Sequence, residues 1–310
     1  MNKHAGINIL NNSFNRLTLN FRRLRTDTIV SWLTLLCAAL VFHFSLLIST
    51  SAPLDFLVFV TVLWAVAWLP VEDLVPFLNC RHGISRIFFV SVVWVALIVR
   101  GLAVQSYADP YIPLYPLISV ILLILFLGGF SLLPRFRETL YILSLVPVLA
   151  WLPRLVPTDG LSHSAAFFAA FFLRTFGIDI IQTSTKLTVG ISAINVAGPC
   201  SGNEIMVQAF VVALLALIIF PMPKRWTRLP FLLLAPALGW IVNGLRVALL
   251  AMIASIDPVS AMNDSGMFAF FHLGEGGMVF SGLGIAAYAY AYVKVIDGQL
   301  MNLQKRVVRG

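Results

Sequence analysis

Charge is what this chain has least of. Only 11% of its 310 residues are Asp, Glu, Lys or Arg, against about 25% in soluble domains, and only 13 are acidic. It has no polar stretch long enough to be a second soluble domain, no internal repeat and no low-complexity tract. Cysteine is nearly absent as well. Cys37, Cys80 and Cys200 make an odd, scattered set without a CxxC pair or a His/Cys cluster, which excludes a disulfide framework and a structural metal site. The first 28 residues are polar and basic and offer no small-residue cleavage site, so they read as a cytoplasmic tail rather than a signal peptide.

Apolar surface is what the chain has in excess, with 60% hydrophobic residues and a mean hydropathy of +0.94. A water-soluble fold of this size has no interior large enough to hide it, so the solvent is lipid. The net charge of +8 could suggest nucleic acid. The bases lie in short loops and tails, however, as the positive-inside rule produces, and no nucleic-acid partner is expected. Runs long enough to cross hydrocarbon lie at about 29–49, 54–70, 86–104, 114–133, 139–152, 203–220, 229–253 and 267–293. The expected fold is an all-α polytopic membrane protein of about eight transmembrane helices. It comprises a basic tail (1–28), a single transmembrane domain (29–293) and a second basic tail (294–310). The stretch Ala165–Phe176 is too short to span comfortably and reads as re-entrant or interfacial.

With both termini in the cytoplasm, sixteen of the 21 Lys and Arg residues lie inside, including Lys3, Arg22, Arg81, Arg86, Arg135, Arg137, Lys224, Arg225, Arg228 and Lys294. The opposite loops carry Asp55, Asp109, Asp159, Asp179, Asp257 and Asp264. Residues 153–202 then form the one long extracytoplasmic connection, with Cys200 at its end. Within it, Lys186–Val196 alternates apolar with small or polar residues, which predicts a β-like hairpin or a pair of short strands.

Three islands carry possible chemistry. In Gly198-Pro199-Cys200-Ser201-Gly202-Asn203-Glu204, the Ser201/Glu204 spacing predicts a capping box that starts the next helix. Cys200 would then face the helix's free N–H groups and positive end, a setting that favours thiolate. The competing reading is a passive cysteine in a Pro/Gly turn. In Asn243-Gly244-Leu245-Arg246, a guanidinium inside a span costs at least about 2.5–3.5 kcal/mol, so it seeks an interior partner or cavity. Asn243 shares its face. The alternative is snorkelling to the outer headgroups, the better account for Arg100. His272-Leu273-Gly274-Glu275 opens the span 267–293, with Glu275 at i+3 on the histidine's side; a histidine satisfied by a backbone carbonyl is the plain alternative. The charge-based topology puts a candidate thiolate, guanidinium and imidazole at similar depth on one side. They supply a nucleophile, an oxyanion donor and a near-neutral acid–base group.

At these residues the sequence resembles the exosortase/archaeosortase family of multi-spanning membrane transpeptidases. The resemblance rests on Cys200-Ser201-Gly202, Asn243-Gly244-Leu245-Arg246, His272 and the lead-in Phe172–Asp179, and covers roughly residues 110–295. Asn203-Glu204, in place of a more familiar apolar pair, leaves the subfamily open, a cyanobacterial type included. The resemblance implies Cys200, Arg246 and His272 as catalytic residues, with Ser201, Gly202, Asn243 and Glu275 supporting, and no metal or organic cofactor. It implies membrane-anchored substrates of a bacterial inner membrane, each with a C-terminal PEP-CTERM-like motif, one transmembrane helix and a basic tail. Cleavage would occur at the extracytoplasmic face through a Cys thioester. Three other readings stay open: a transporter with Arg246 and His272 lining a polar path, a non-catalytic export scaffold, and an enzyme acting on lipid-linked substrates.

Overall fold

The computed structural model describes residues 26–69, 84–222 and 224–309. Cys80, Arg81 and the basic residues up to Arg25 lie outside the described residues. The chain forms two compact units, Met1–Pro147 and Val148–Gly310.

The first unit contains α1 (Thr26–Ser49), α2 (Leu54–Ala67), α3 (Ile84–Leu102), α4 (Tyr111–Gly128), a 3-10 turn (Phe130–Phe136) and α5 (Arg137–Leu143). Its buried polar link is His43, which is fully inaccessible. Trp64 Nε1 donates to His43 Nδ1 at 3.1 Å, and His43 Nε2 lies 3.1 Å from the Ile112 carbonyl. One imidazole thus ties α1 to α2 and α4, with its Nε2–H donating because Nδ1 already accepts. At the start of α4 the Asp109 carboxylate accepts from the Tyr111 N–H at 2.9 Å. Arg100, expected only to snorkel, pairs with the same carboxylate at 2.6 Å. These two contacts, the backbone bond first, hold Asp109 below the usual carboxylate range.

The predicted span 139–152 is broken. Helix α5 ends at Leu143 and α6 (Leu145–Leu155) leaves at a bend of 40°. Pro147 supplies the reason, because it lacks an N–H and its ring crowds the carbonyl four residues back, that of Leu143. Proline is tolerated once it falls in the first turn of a new helix.

The second unit continues with α7 (Thr158–Thr175) and a three-stranded antiparallel sheet in the order β1 (Ile180–Thr183), β2 (Lys186–Val189), β3 (Ser192–Asn195). After a 3-10 turn (Gly198–Ser201) come α8 (Asn203–Ile219), α9 (Arg225–Ile256), α10 (Pro258–Met262), α11 (Gly266–His272) and α12 (Gly276–Arg309). Strand β1, absent from the sequence expectation, pairs with β2 from Ile180↔Val189 to Thr183↔Lys186. Residues 165–175 of the apolar stretch lie in an 18-residue helix, α7, with Phe176 as its C-cap. Its buried stripe of Ala165, Ala166, Ala169 and Ala170 packs in one cluster with Val247, Ala248, Leu250 and Ala251 of α9. Small side chains at this spacing let two helix backbones approach closely.

Among the described residues, four helices are long and apolar enough to cross a membrane: Trp32–Ser49 within α1, α4, α9 and Gly276–Gln299 within α12. The bent pair around Ser144 makes a fifth if counted as one span, and Leu54–Ala67, Phe88–Leu102 and Asn203–Ile219 are apolar but shorter. The chain is therefore a predominantly helical protein with several membrane-compatible helices. The predicted last span, 267–293, is also broken: α11 ends at His272, and α12 begins at Gly276 and continues through 294–309.

Candidate active site

Cys200 is delivered by the end of the sheet. The Val196 N–H donates to the Thr185 carbonyl at 2.9 Å, closing the last strand. The chain then turns through Gly198 at φ 51°, and the Cys200 N–H bonds back to the Ala197 carbonyl at 3.1 Å. Gly202, at φ 82°, reverses the chain into α8. A Cβ there would lie 2.5 Å from Asn243 Nδ2, so this position requires glycine for both its conformation and its space. The expected capping box does not form. Gly202, not Ser201, is the N-cap and no side chain caps α8, because the left-handed glycine starts the helix one residue late. Ser201 is buried and its Oγ only accepts from the Asn203 N–H at 3.4 Å, while Glu204 is exposed.

Asn203 has a different task. Pro157 has no N–H to offer the Pro153 carbonyl four residues back, and the Asn203 side-chain amide donates to that carbonyl instead.

Helix α9 presents Gly239, Asn243 and Arg246 on one face, at i, i+4 and i+7. At Gly239 a Cβ would lie 3.1 Å from the backbone of Ile205 and Met206, so α8 and α9 are nearly in backbone contact. Asn243, completely buried, donates through Nδ2 to the Cys200 carbonyl at 2.9 Å. Its Oδ1 is buried without a hydrogen-bond partner. Arg246 is 6% exposed; its Nε donates to the Phe271 carbonyl at 2.9 Å and a terminal nitrogen donates to the His272 carbonyl. These are carbonyls at the end of α11, which no further helical N–H can reach, so the guanidinium caps that helix. The close approach of α12 at Gly277, where a Cβ would sit 3.8 Å from the guanidinium, completes its enclosure.

His272 lies in the last turn of α11 rather than one and a half turns into a long helix. Its ring interacts with the Cys200 side chain, and its Nδ1 lies 3.0 Å from Asp264 Oδ1. Its pKa is raised from 6.5 to about 9, chiefly by the interaction with Cys200; burial opposes the rise and the bond to Asp264 adds to it.

Cys200, Asn243, Arg246 and His272 therefore come together, with Gly202 packed beneath Asn243. Glu275 does not join them. The break after His272 destroys the i+3 relation, and Glu275 sits exposed in the intervening turn. Asp264 takes the place beside the imidazole that Glu275 was expected to hold. It lies eight residues before His272 in a loop, where no helical or strand periodicity links the two in sequence. Among the described residues, no group of three or more His, Cys, Asp and Glu side chains is placed to hold a metal ion.

No curated protein and no solved structure matches the chain. Residues 53–289, which include every side chain of the cluster and most of both units, match the family model of the transmembrane exosortases. With that span the chain belongs to the transmembrane exosortase family.

Proposed function

We propose that this protein is a membrane-embedded cysteine transpeptidase in which Cys200 is the nucleophile, His272 the proton-transfer group and Arg246 the oxyanion or substrate-positioning donor. The observation that carries the reading is the gathering of Cys200, whose carbonyl Asn243 holds at 2.9 Å, with His272, whose own carbonyl is gripped by the Arg246 guanidinium and whose imidazole interacts with the Cys200 side chain. An activated thiol needs a base within hydrogen-bond reach, and acyl transfer needs a fixed donor for the developing charge.

The Cys200 thiol gives its proton to His272, and the sulfur attacks a backbone carbonyl of the substrate, forming an S–C bond and a tetrahedral oxyanion. Arg246 has five N–H donors, and those not engaged by Phe271 and His272 stabilise that oxygen. Collapse breaks the C–N bond, and the imidazolium of His272 protonates the leaving amine. The resulting thioester then passes its acyl group to an acceptor amine or to water, with His272 taking the incoming proton. Asn243 and Gly202 hold the Cys200 backbone in place. No metal or organic cofactor enters these steps.

The substrates are exported proteins carrying a C-terminal PEP-CTERM-like motif, a transmembrane helix and a basic tail, processed at the extracytoplasmic face of a bacterial inner membrane. A substrate helix can enter sideways from the bilayer while its motif meets Cys200 near the interface. Eight crossings with both termini in the cytoplasm fit this arrangement, the shorter apolar helices being completed by their flanking turns.

The test is processing of a co-expressed tagged substrate. Cys200→Ala and Cys200→Ser should abolish processing, and undiminished processing would remove the nucleophile. Retained function in both, with loss in Arg246→Ala or His272→Ala, would instead favour a polar transport path.

A further inference from the structure

The loop between α10 and α11 is built to hold one carboxylate. Asp257 caps α10 by accepting from the Ser260 N–H at 3.0 Å. The Ser260 hydroxyl donates to the Ser265 carbonyl, and the Ser265 N–H returns to the Ser260 carbonyl at 3.0 Å. Gly266, at φ 57°, packs so closely that a Cβ would lie 3.1 Å from Ser260 Oγ. Within this tied loop Asp264 adopts φ 45°, a conformation that Asp and Asn accept more readily than other side chains. Its Oδ1 consequently lies 3.0 Å from His272 Nδ1.

We propose that Asp264 is a positioning residue for the thiol chemistry: by accepting the Nδ1–H bond it fixes the imidazole so that Nε2 faces Cys200, and it stabilises the imidazolium that accompanies a thiolate. This rests on the function proposed above. A ring nitrogen bonded to a carboxylate carries the proton, which leaves the other nitrogen to exchange a proton with the sulfur. The charged or titratable groups around the ring are Cys200 from the 3-10 turn, Asp264 from the α10–α11 loop and Arg246 from α9, whose guanidinium meets the His272 carbonyl rather than the imidazole. Glu275 follows in the exposed turn, and the Phe268 ring, 5.2 Å away, packs on the imidazole without charge. Asp264 is thus the carboxylate hydrogen-bonded to this imidazole, and its 41% exposed side chain makes the effect moderate rather than extreme.

The test uses the full-length protein in detergent with Cys37→Ser and Cys80→Ser, so that iodoacetamide reports on Cys200. Asp264→Asn preserves shape and tolerance of positive φ while removing the charge. It should slow alkylation at pH 7 about tenfold, the effect of roughly one unit of lost stabilisation of the imidazolium. Above about pH 9.5 the variant and its parent should converge, because there a thiolate forms without an imidazolium partner. Equal rates at pH 7, or the same slowing at every pH, would overturn the proposal, the second marking a merely structural role. The parallel arm is substrate processing by Cys200→Ala. If that variant still processes, the thiol reading itself falls; if it fails while Asp264→Asn alkylates like its parent at pH 7, only the role of Asp264 falls.

Discussion

Arg246 shows why this position calls for an arginine and not merely a positive charge. A cation inside a long apolar helix is costly unless it has partners, and here they are two successive carbonyls at the end of α11. A planar fork reaches both at once, and a lysine's single ammonium cannot. Arg246→Lys should therefore keep the protein folded but lower processing of a tagged substrate about 10²-fold or more, with wild-type amounts of protein in the membrane. Near-normal turnover would show that charge alone suffices. At this scale the sequence disclosed side-chain types but not all of their neighbours. A thiol, a guanidinium and an imidazole in an apolar chain are conspicuous, and all three enter the cluster. Asp264 was one acid among several in the outer loops, because only the folding of the α10–α11 loop brings it to His272. Glu275 does not share the imidazole's side, since its helical spacing from His272 spans a break.

Helix α9 carries the site on one face and its anchorage on another. At Gly244 a Cβ would sit 2.2 Å from Cδ1 of Phe168, so α7 lays an aromatic ring against the bare backbone next to Asn243. Gly244→Ala forces that ring aside, and overpacking of this kind costs about 1–3 kcal/mol. Thermal unfolding in detergent should register the loss, and Phe168→Leu in the same chain should recover much of it, since the two residues are in direct contact. A double variant no more stable than Gly244→Ala would place the cost elsewhere. Helix existence was legible for α8, α9 and α12, because apolar runs of this length permit little else, whereas the short α10 lies between the predicted runs. Helix ends were harder to read. The start of α8 shifted by one residue through the left-handed Gly202, and two predicted spans proved broken, one beside Pro147 and one in the glycine-rich turn after His272. The hairpin region was readable from alternation in 186–196, whereas β1 was not, its four residues being too few to establish a period.

For the whole molecule the decisive measurement is which side of the membrane holds the sheet. The positive-inside distribution predicts the extracytoplasmic side. Ile191, 94% exposed in the turn between β2 and β3, is a suitable reporter. In a chain freed of Cys37, Cys80 and Cys200, Ile191→Cys should react with a membrane-impermeant maleimide added to spheroplasts, before lysis. Labelling only after lysis would invert the topology and with it the proposed site of processing. Composition by itself determined that this is a membrane protein of apolar helices, since 60% hydrophobic residues leave lipid as the workable solvent. The three islands around Cys200, Arg246 and His272 pointed to the family. Tertiary structure alone decided that Asn243 holds the Cys200 carbonyl, that Arg246 caps the helix bearing His272, and that Asp264 stands behind the imidazole. Those contacts join residues that are from eight to more than forty positions apart, and their distances depend on where helices break and cross, which no local pattern records.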